Sequence, residues 1–420
     1  MTKRPWVFVM LLCALVAATG VIYGWLDRRP IKVGVLHSLT GTMAFSERSL
    51  VEATHMAIDE INAAGGVLGR SIEAVVADGA SNPVLFAQEA ERLITEEHVS
   101  TIFGCWTSAC RRTVRPVIER LDHLLFYPLQ YEGLEISPNV VHLGSTPNQQ
   151  IVPALKWAFG SNKKRIFLVG SDYVFPRVAN RIIKDFVEKW RGEIVGEDYV
   201  LLLGDQEVAH IVDEIVATRP DVIFNTINGG ANKDFFKALR EAGITPNEIP
   251  TISFSITESE LKNMGMASLV GDYASWSYFQ SIRTDENRSF VSNYKKRFGQ
   301  DRVLGDPMEA AYVGVYLWAR AVEAAGSSDV ADIRAHVGNI GFRGPGGMTY
   351  IEGGDLHVWK KTRIGRILDG GQFEIVWGSD NPIRPEPFPD YRSREEWDAF
   401  LQSLYEGWGQ RWYNPGRNTK

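Results

Sequence analysis

The chain has 420 residues, 45% apolar and 23% charged, with 45 Lys and Arg against 51 Asp and Glu and a net charge of −6. Such a composition belongs to a globular protein too long for a single core, and it excludes a mainly disordered, collagen-like or polytopic membrane chain. No Lys/Arg block argues for a nucleic-acid partner, and three cysteines are too few for a disulfide scaffold or a four-cysteine zinc site.

The first thirty residues form a separate physical regime. Pro5 to Leu26 carries no charge and follows Lys3 and Arg4. As a helix this run spans roughly 33 Å at about 1.5 Å per residue, enough to cross a bilayer. It reads either as a cleaved signal, with Ala18-Thr19-Gly20 as the small-residue site, or as an uncleaved anchor. Lys3 and Arg4 favour a cytoplasmic N-terminus, although Arg28 and Arg29 on the far side weaken that orientation. Both readings place the rest of the chain in the periplasm or another extracytoplasmic space, tethered to the inner membrane by residues 5–26 if the segment is retained. Cys13 follows two leucines and reads as membrane filler.

From Ile31 strands and helices alternate. A strand at Ile31–Ser38 precedes a helix bearing Leu50, Ala53, Ala57, Ile58 and Ile61, which ends at Gly65-Gly66. A strand at Glu73–Asp78, a helix at Pro83–His98, a strand at Thr101–Trp106, a helix at Arg111–Leu121 and a strand at Leu124–Leu129 complete a first series. A second series comprises a helix at Gln149–Phe159, a strand at Arg165–Gly170, a helix from Pro176 to Trp190 and a strand at Tyr199–Leu203. It continues with a helix at Glu207–Thr218, a strand at Asp221–Ile227, a helix at Lys233–Ala242 and a strand at Pro250–Ile256. This alternation predicts parallel sheets covered on both faces. The last third holds a strand-like stretch at Val270–Phe279, helices at Glu286–Phe298 and Pro307–Ala325, and β-like pieces at Met348–Glu352, Val358–Ile367 and Phe373–Trp377. It makes no third unit of the same kind, so the chain is expected to cross back and complete both lobes, with several crossings forming a hinge.

Ligands of open parallel sheets bind at the carboxyl ends of strands. Those ends carry Trp106-Thr107-Ser108, Tyr127 to Tyr131, Ser171-Asp172-Tyr173, Asn228-Gly229 and Ser253-Phe254-Ser255. Aromatic and uncharged hydrogen-bonding groups recur there, charged groups are scarce, and the set suits a small, neutral, planar, polar ligand. Thr107 and Ser108 equally suit helix capping, Trp106 and Tyr127 suit core positions, and Asn228-Gly229 suits a turn. No nucleophile elbow, phosphate loop or zinc-protease motif is present, the eight histidines lack metal spacing, and no catalytic residue, cofactor or metal is expected. Cys105 and Cys110 either pair, if their Cα atoms come within about 7 Å, or are two buried thiols.

Several stretches together resemble the extracytoplasmic solute-binding proteins of the branched-chain amino acid and amide group, within class I of the periplasmic binding proteins. They are INAAGGVLGR (Ile61–Arg70), GCWTSACRRTVRPVIE (Gly104–Glu119), the run from Leu124 to Trp157, VGSDYVFPR (Val169–Arg177), FNTINGGANKDFFKALREAGI (Phe224–Ile244), DPMEAAYVGVYLWARAVEAAG (Asp306–Gly326) and PIRPEPFP (Pro382–Pro389). The order and content are most similar to urea-binding components of ABC transporters. The amide-binding regulators of amidase operons share the tyrosine after the fourth strand and GSDY but carry Thr-Pro where this chain has Leu129-Gln130.

The resemblance implies an α/β fold of two Rossmann-like lobes joined by a three-crossing hinge, with residues 31–148 and about 278–347 in one lobe, 149–277 and about 348–390 in the other, and a tail at 391–420. It implies ligand contacts at Trp106, Ser108, Tyr127 and Gln130 in the first lobe and at Tyr173, Asn228, Gly229 and Ser253 in the second. The implied ligand is urea or another small neutral amide. The implied partners are ABC permease subunits, or a sensor partner if the chain stays anchored. In the tail, Trp397, Phe400, Leu401, Leu404, Tyr405 and Trp408 form an apolar helical stripe that reads first as packing on the protein's own surface and second as a partner or membrane contact.

Overall fold

The computed structural model describes residues 29–202, 207–265 and 268–416. Its first sheet is parallel, with β1 (Ile31–His37), β2 (Ile72–Asp78), β3 (Ile102–Gly104), β4 (Leu125–Tyr127) and β5 (Val140–His142) in the order β2-β1-β3-β4-β5. Helices α1 (Ala44–Ala63), α2 (Pro83–Thr95) and α3 (Ser108–Arg120) connect these strands. After α4 (Pro147–Gly160) come β6 (Arg165–Ser171), α5 (Val174–Lys189), β7 (Glu193–Val200), α6 (Ala209–Thr218), β8 (Val222–Thr226), α7 (Ala231–Glu241), β9 (Thr251–Ser253), α8 (Glu258–Met264) and β10 (Tyr273–Trp276). The chain then forms α9 (Asp285–Phe298), α10 (Asp306–Ala325) and α11 (Val330–His336). A small antiparallel sheet of β11 (Gly341–Gly344), β12 (Gly347–Ile351) and β13 (Val358–Trp359) follows, then β14 (Arg363–Ile367), β15 (Phe373–Gly378) and α12 (Arg394–Gly407). The second large sheet has seven strands, ordered β15-β14-β10-β9-β8-β6-β7, with β14 and β15 antiparallel to the rest.

Strand alternation sorts side chains between the layers. Along β4, Phe126 packs with α1 and α10, whereas Leu125 and Tyr127 pack with α2 and α3. Along β6, Phe167 and Val169 face α6 and α7, whereas Ile166 and Leu168 face α4 and α5. Local signals set the helix starts. Asn82 accepts from Val84 N–H at 2.9 Å ahead of Pro83 at the first turn of α2, and Ser393 with Glu396 makes a reciprocal capping box on α12.

Four differences from the expected elements have physical causes. The strand expected at Tyr199–Leu203 is β7, six residues earlier at its start, and Leu203 lies outside the described residues. As an edge strand it stays half-exposed, so it shows no apolar run. The piece at Val358–Ile367 is two strands in two different sheets, β13 and β14, divided by a crossing at Lys360–Thr362. Ile351 and Val358 pack in the core built on α1 and α10, so residues 348–359 sit with the first lobe rather than the second. Short elements with little apolar periodicity, β5, α8, α11 and β11, were not expected. The segment at residues 5–26, with Cys13, lies outside the described residues, and among the described residues no helix is long and apolar enough to cross a membrane.

The chain passes between the lobes after β5, after β10 and after β13, and the three passages bond to one another. Ser145 and Ser277 hydroxyls meet at 2.9 Å, Gln149 Nε2 donates to Val358 O at 2.9 Å, and Arg363 donates to Ser277 O. Asp306 accepts from the N–H groups of Ser277 and Tyr278 at 3.0 and 2.9 Å. Beside them Glu258 accepts from Gln280 N–H at 2.7 Å, and Ser46 of the first lobe donates to Glu260 of the second at 3.2 Å.

Burial, against the hydrogen bond from Gln280, pushes the Glu258 carboxyl up to about 8 from its ordinary 4.5. Between those values the unfolded chain loses a proton that the native chain keeps, so stability falls as pH rises through that window. Glu258→Gln should therefore gain stability over the parent as pH is raised from 4.5 to above 8, measured by guanidinium unfolding at each pH. A stability difference independent of pH would refute this assignment.

Candidate ligand-binding site

The site is built where β3 and β4 end and α3 begins. Thr107 caps α3, accepting from Cys110 N–H at 3.1 Å, so the capping role falls to Thr107 and leaves the Ser108 hydroxyl free of it. Ser108, fully buried, instead accepts from Arg111 Nη1 at 3.0 Å and donates to Glu132. The Tyr127 hydroxyl donates to the Trp106 carbonyl at 2.7 Å, and half-buried Trp106 packs against both cores of the first lobe. Cys105 and Cys110 form a disulfide, with Cα atoms 6.4 Å apart, across the turn that carries Trp106 and Ser108. After β4, Leu129-Gln130 passes so close to the first crossing that a Cβ on Gly144 would lie 1.8 Å from Leu129 O, and only glycine fits there.

Gln130 spans the lobes: its Nε2 donates to Phe254 O, just past β9, at 3.0 Å. Its Oε1 is buried and has no protein partner. Tyr173, buried just before α5, is coupled electrostatically to Tyr127 and Glu132 of the first lobe. Burial raises its hydroxyl pKa well above the ordinary value, Tyr127 and Glu132 of the first lobe add to the shift, and Arg111 and Asn228 oppose it. Asn228 is held by its N–H to Ser171 Oγ at 3.0 Å and by its side chain to Thr226 O at 3.2 Å.

Trp106, Ser108, Tyr127 and Gln130 thus sit together at the ends of β3 and β4, and the Gln130 hydrogen bond and the coupling of Tyr173 to Tyr127 connect them to the second lobe, where Tyr173 and Asn228 lie. The other two expected residues are placed differently. Gly229 is a turn residue at φ 73° with open space on its Cβ side, and Ser253 is fully buried inside the sheet, accepting from Asn225 Nδ2 at 3.2 Å. A groove of about 880 Å³ runs along the outside of the second lobe past Trp157, Trp190, Trp377 and Tyr391, and no expected site residue lines it.

The strand ends are not as poor in charge as their sequence suggests. Arg111, on the buried face of α3, reaches Glu132 Oε1 and Glu135 Oε1, both at 3.0 Å. Arg112 Nε reaches Glu132 at 2.7 Å, Arg115 reaches Glu135 at 3.1 Å, and His142 Nε2 reaches Glu135 at 3.3 Å. Burial alone would push both carboxyls up. Arg111 and Arg112 outweigh it at Glu132, and Arg111, His142, Arg112 and Arg115 do so at Glu135, so both carboxyls are held below the usual carboxylate range. His142 is pushed down to about 3 by burial and by His357, which stacks on it at 4.2 Å. It is therefore neutral at physiological pH, and three guanidinium groups face two carboxylates. Arg112 Nη2 is buried without a partner. The available signal was the position of Arg111 on the apolar stripe of Val114 and Ile118, together with paired glutamates just after Gln130.

Removing one partner of such a pair leaves the other charged and dry. Arg111→Met should lower stability by about 3–5 kcal/mol, read by guanidinium unfolding so that urea is not used as denaturant. A loss below about 1 kcal/mol would show that Arg112 and Arg115 alone satisfy both carboxylates.

The periplasmic binding protein domain family matches residues 31–394. Among curated relatives, the Leu/Ile/Val-binding protein homolog 6 of Brucella melitensis is 24% identical over 80% of this chain and 87% of its own length. A protein named limonene hydroxylase from Geobacillus stearothermophilus is 39% identical over 149 residues, and the match spans only 27% of that protein. Among solved structures, an ABC-transporter solute-binding protein from R. palustris in complex with 4-hydroxybenzoate superposes with a TM-score of 0.77 at 24% identity, over 84% of this chain and 98% of that one. A leucine-binding protein from Thermotoga maritima superposes with a TM-score of 0.67 at 19% identity, over 83% and 98%. Those two structures share the fold, two α/β lobes with the chain passing back and forth between them. With the family match running from β1 into the start of α12, this chain belongs to the periplasmic binding protein domain family.

Proposed function

We propose that this protein is an extracytoplasmic solute-binding protein that takes up urea or a short amide between its lobes and delivers it to an ABC permease, without chemical turnover. The observation that carries the ligand class is Gln130. Its amide nitrogen is spent on the opposite lobe while its oxygen is buried and unpaired. A buried acceptor without a donor costs about 1–3 kcal/mol, and an N–H group of urea or an amide removes that cost. In this reading Trp106 of the first lobe and Tyr173 of the second are the rings that cover the ligand's two faces. The Cys105–Cys110 disulfide agrees with an oxidising compartment outside the cytoplasm. Retention of residues 5–26 as an anchor would suit a sensor in place of a transporter subunit.

A second reading rests on Arg112, whose unpaired Nη2 would suit a carboxylate. That is the group carried by the 4-hydroxybenzoate bound to one structural neighbour. Calorimetry separates the two. Urea should bind, acetamide should bind more weakly because its methyl group cannot satisfy an acceptor, and 4-hydroxybenzoate and leucine should give no heat. Binding of either acid with none of urea would establish the second reading.

Gln130→Leu should weaken urea binding by about 1–3 kcal/mol, or roughly 5- to 150-fold. An unchanged affinity would remove Gln130 from the site. The purified protein incubated with urea or acetamide should release no ammonia above background, and release abolished by Ser108→Ala would show an enzyme instead.

A further inference from the structure

We propose that residues 408–416 form a latch across the mouth of the cleft, and that Trp412 and Tyr413 are affinity-determining residues. The proposal rests on the two-lobe binding reading above. Helix α12 is fixed to the second lobe by Trp397 and Leu401, which enter the core of α4 and α5. Just before it, Arg392 grips Asp185 through two nitrogens at 2.6 and 2.7 Å. The chain then returns to the site. Trp412 O accepts from Val174 N–H at 3.0 Å, and Tyr413 pairs antiparallel with Tyr173. Asn414 donates its N–H to Asp172 O at 2.9 Å and its side-chain amide to Asp172 Oδ2 at 2.6 Å. The tail thus adds a short stretch of backbone to the segment that presents Tyr173.

Its other side meets the first lobe. The Arg112 guanidinium lies 4.8 Å from the Trp412 ring centroid, while its Nε stays on Glu132. Tyr413 and Leu202 also close a cavity of about 30 Å³ against Met43, Glu47, Thr107 and Cys110 of the first lobe. Trp412 is held by the second lobe and Arg112 by the first, so their contact forms only when the lobes are together. A contact made in one state alone shifts the population toward that state. Because Arg112 is buried, the cation–ring attraction is little screened by water.

The full chain, Trp412→Ala and Asn414→Ala are compared in two measurements. The first is ligand-free amide hydrogen exchange of residues 252–256 and 258–260, which meet the first lobe through Phe254 and Glu260 and line no cavity with the tail. The second is stopped-flow release of urea. Both variants should exchange faster at those segments, and Trp412→Ala should release urea roughly 2- to 30-fold faster, the ratio that corresponds to a cation–ring contact. Asn414→Ala, a substitution outside every core, guards against a misfolded Trp412 variant. Unchanged exchange in both variants overturns the latch whatever the release rate. If the parent does not bind urea, the ligand reading fails, and the exchange comparison still decides the latch.

Discussion

The binding region depends on a dry ion pair. Arg111 is fully buried, and its guanidinium is tolerable only because Glu132 and Glu135 take its nitrogens at 3.0 Å. This joins the first turn of α3 to the segment after β4, the two elements that carry the expected Ser108 and Gln130. The same guanidinium covers the rings of Tyr127 and Tyr131 at 4.9 and 4.5 Å and donates to Ser108. Wall residues that would otherwise choose among rotamers are therefore held by one group. Fixed positions lower the ordering cost of binding, which for a ligand with few atoms is a large share of the total.

The pair also links the cleft to the crossings. Glu135 contacts His142, the last residue of β5 before the first crossing, and His142 stacks on His357, next to β13 before the third. Tyr131 closes the set by stacking on both rings and bonding to His357. A rigid chain of contacts thus runs from Ser108 to two of the three passages between lobes. The crossings are polar, with Ser145, Ser277 and Lys360 buried in them and Asp306 and Glu258 buried beside them. Apolar side chains there would pack into one jigsaw fit, whereas hydrogen bonds along strand-like passages permit small rotations at modest cost.

The fold was largely legible in the sequence because both sheets are buried on two faces, which makes each inner strand an apolar run and each helix a periodic one. Ile31–His37, Arg165–Ser171 and Val222–Thr226 read cleanly for that reason. Edge strand β7 did not, since water covers one side and its residues need not be apolar. The site was legible in position and only partly in chemistry. Trp106, Ser108, Tyr127 and Gln130 cluster at the strand ends as their positions suggest, whereas Ser253 is buried at the end of β9 and Gly229 occupies a turn. The charges were invisible because arginine and glutamate are normally surface residues, and only the three-dimensional pairing brings Arg111 inside.

The tail shows the same limit from the other side. A stripe of Trp397, Leu401 and their neighbours requires an apolar surface, yet sequence spacing does not say whose. Two facts decide it in the structure. Trp397 and Leu401 are buried in the protein's own core, and Arg392 is anchored on Asp185 beside them. With the helix ending at Gly407, the five residues from Trp408 to Trp412 reach roughly 16–18 Å at full extension, at about 3.3–3.6 Å each. That is enough to bring Trp412 back to Val174, where an unpaired N–H at the start of α5 needs an acceptor. The helix start and the returning strand satisfy each other. The position of Trp412 against Arg112 then follows from backbone bonding in one lobe and ion pairing in the other, and neither interaction requires ligand to be present.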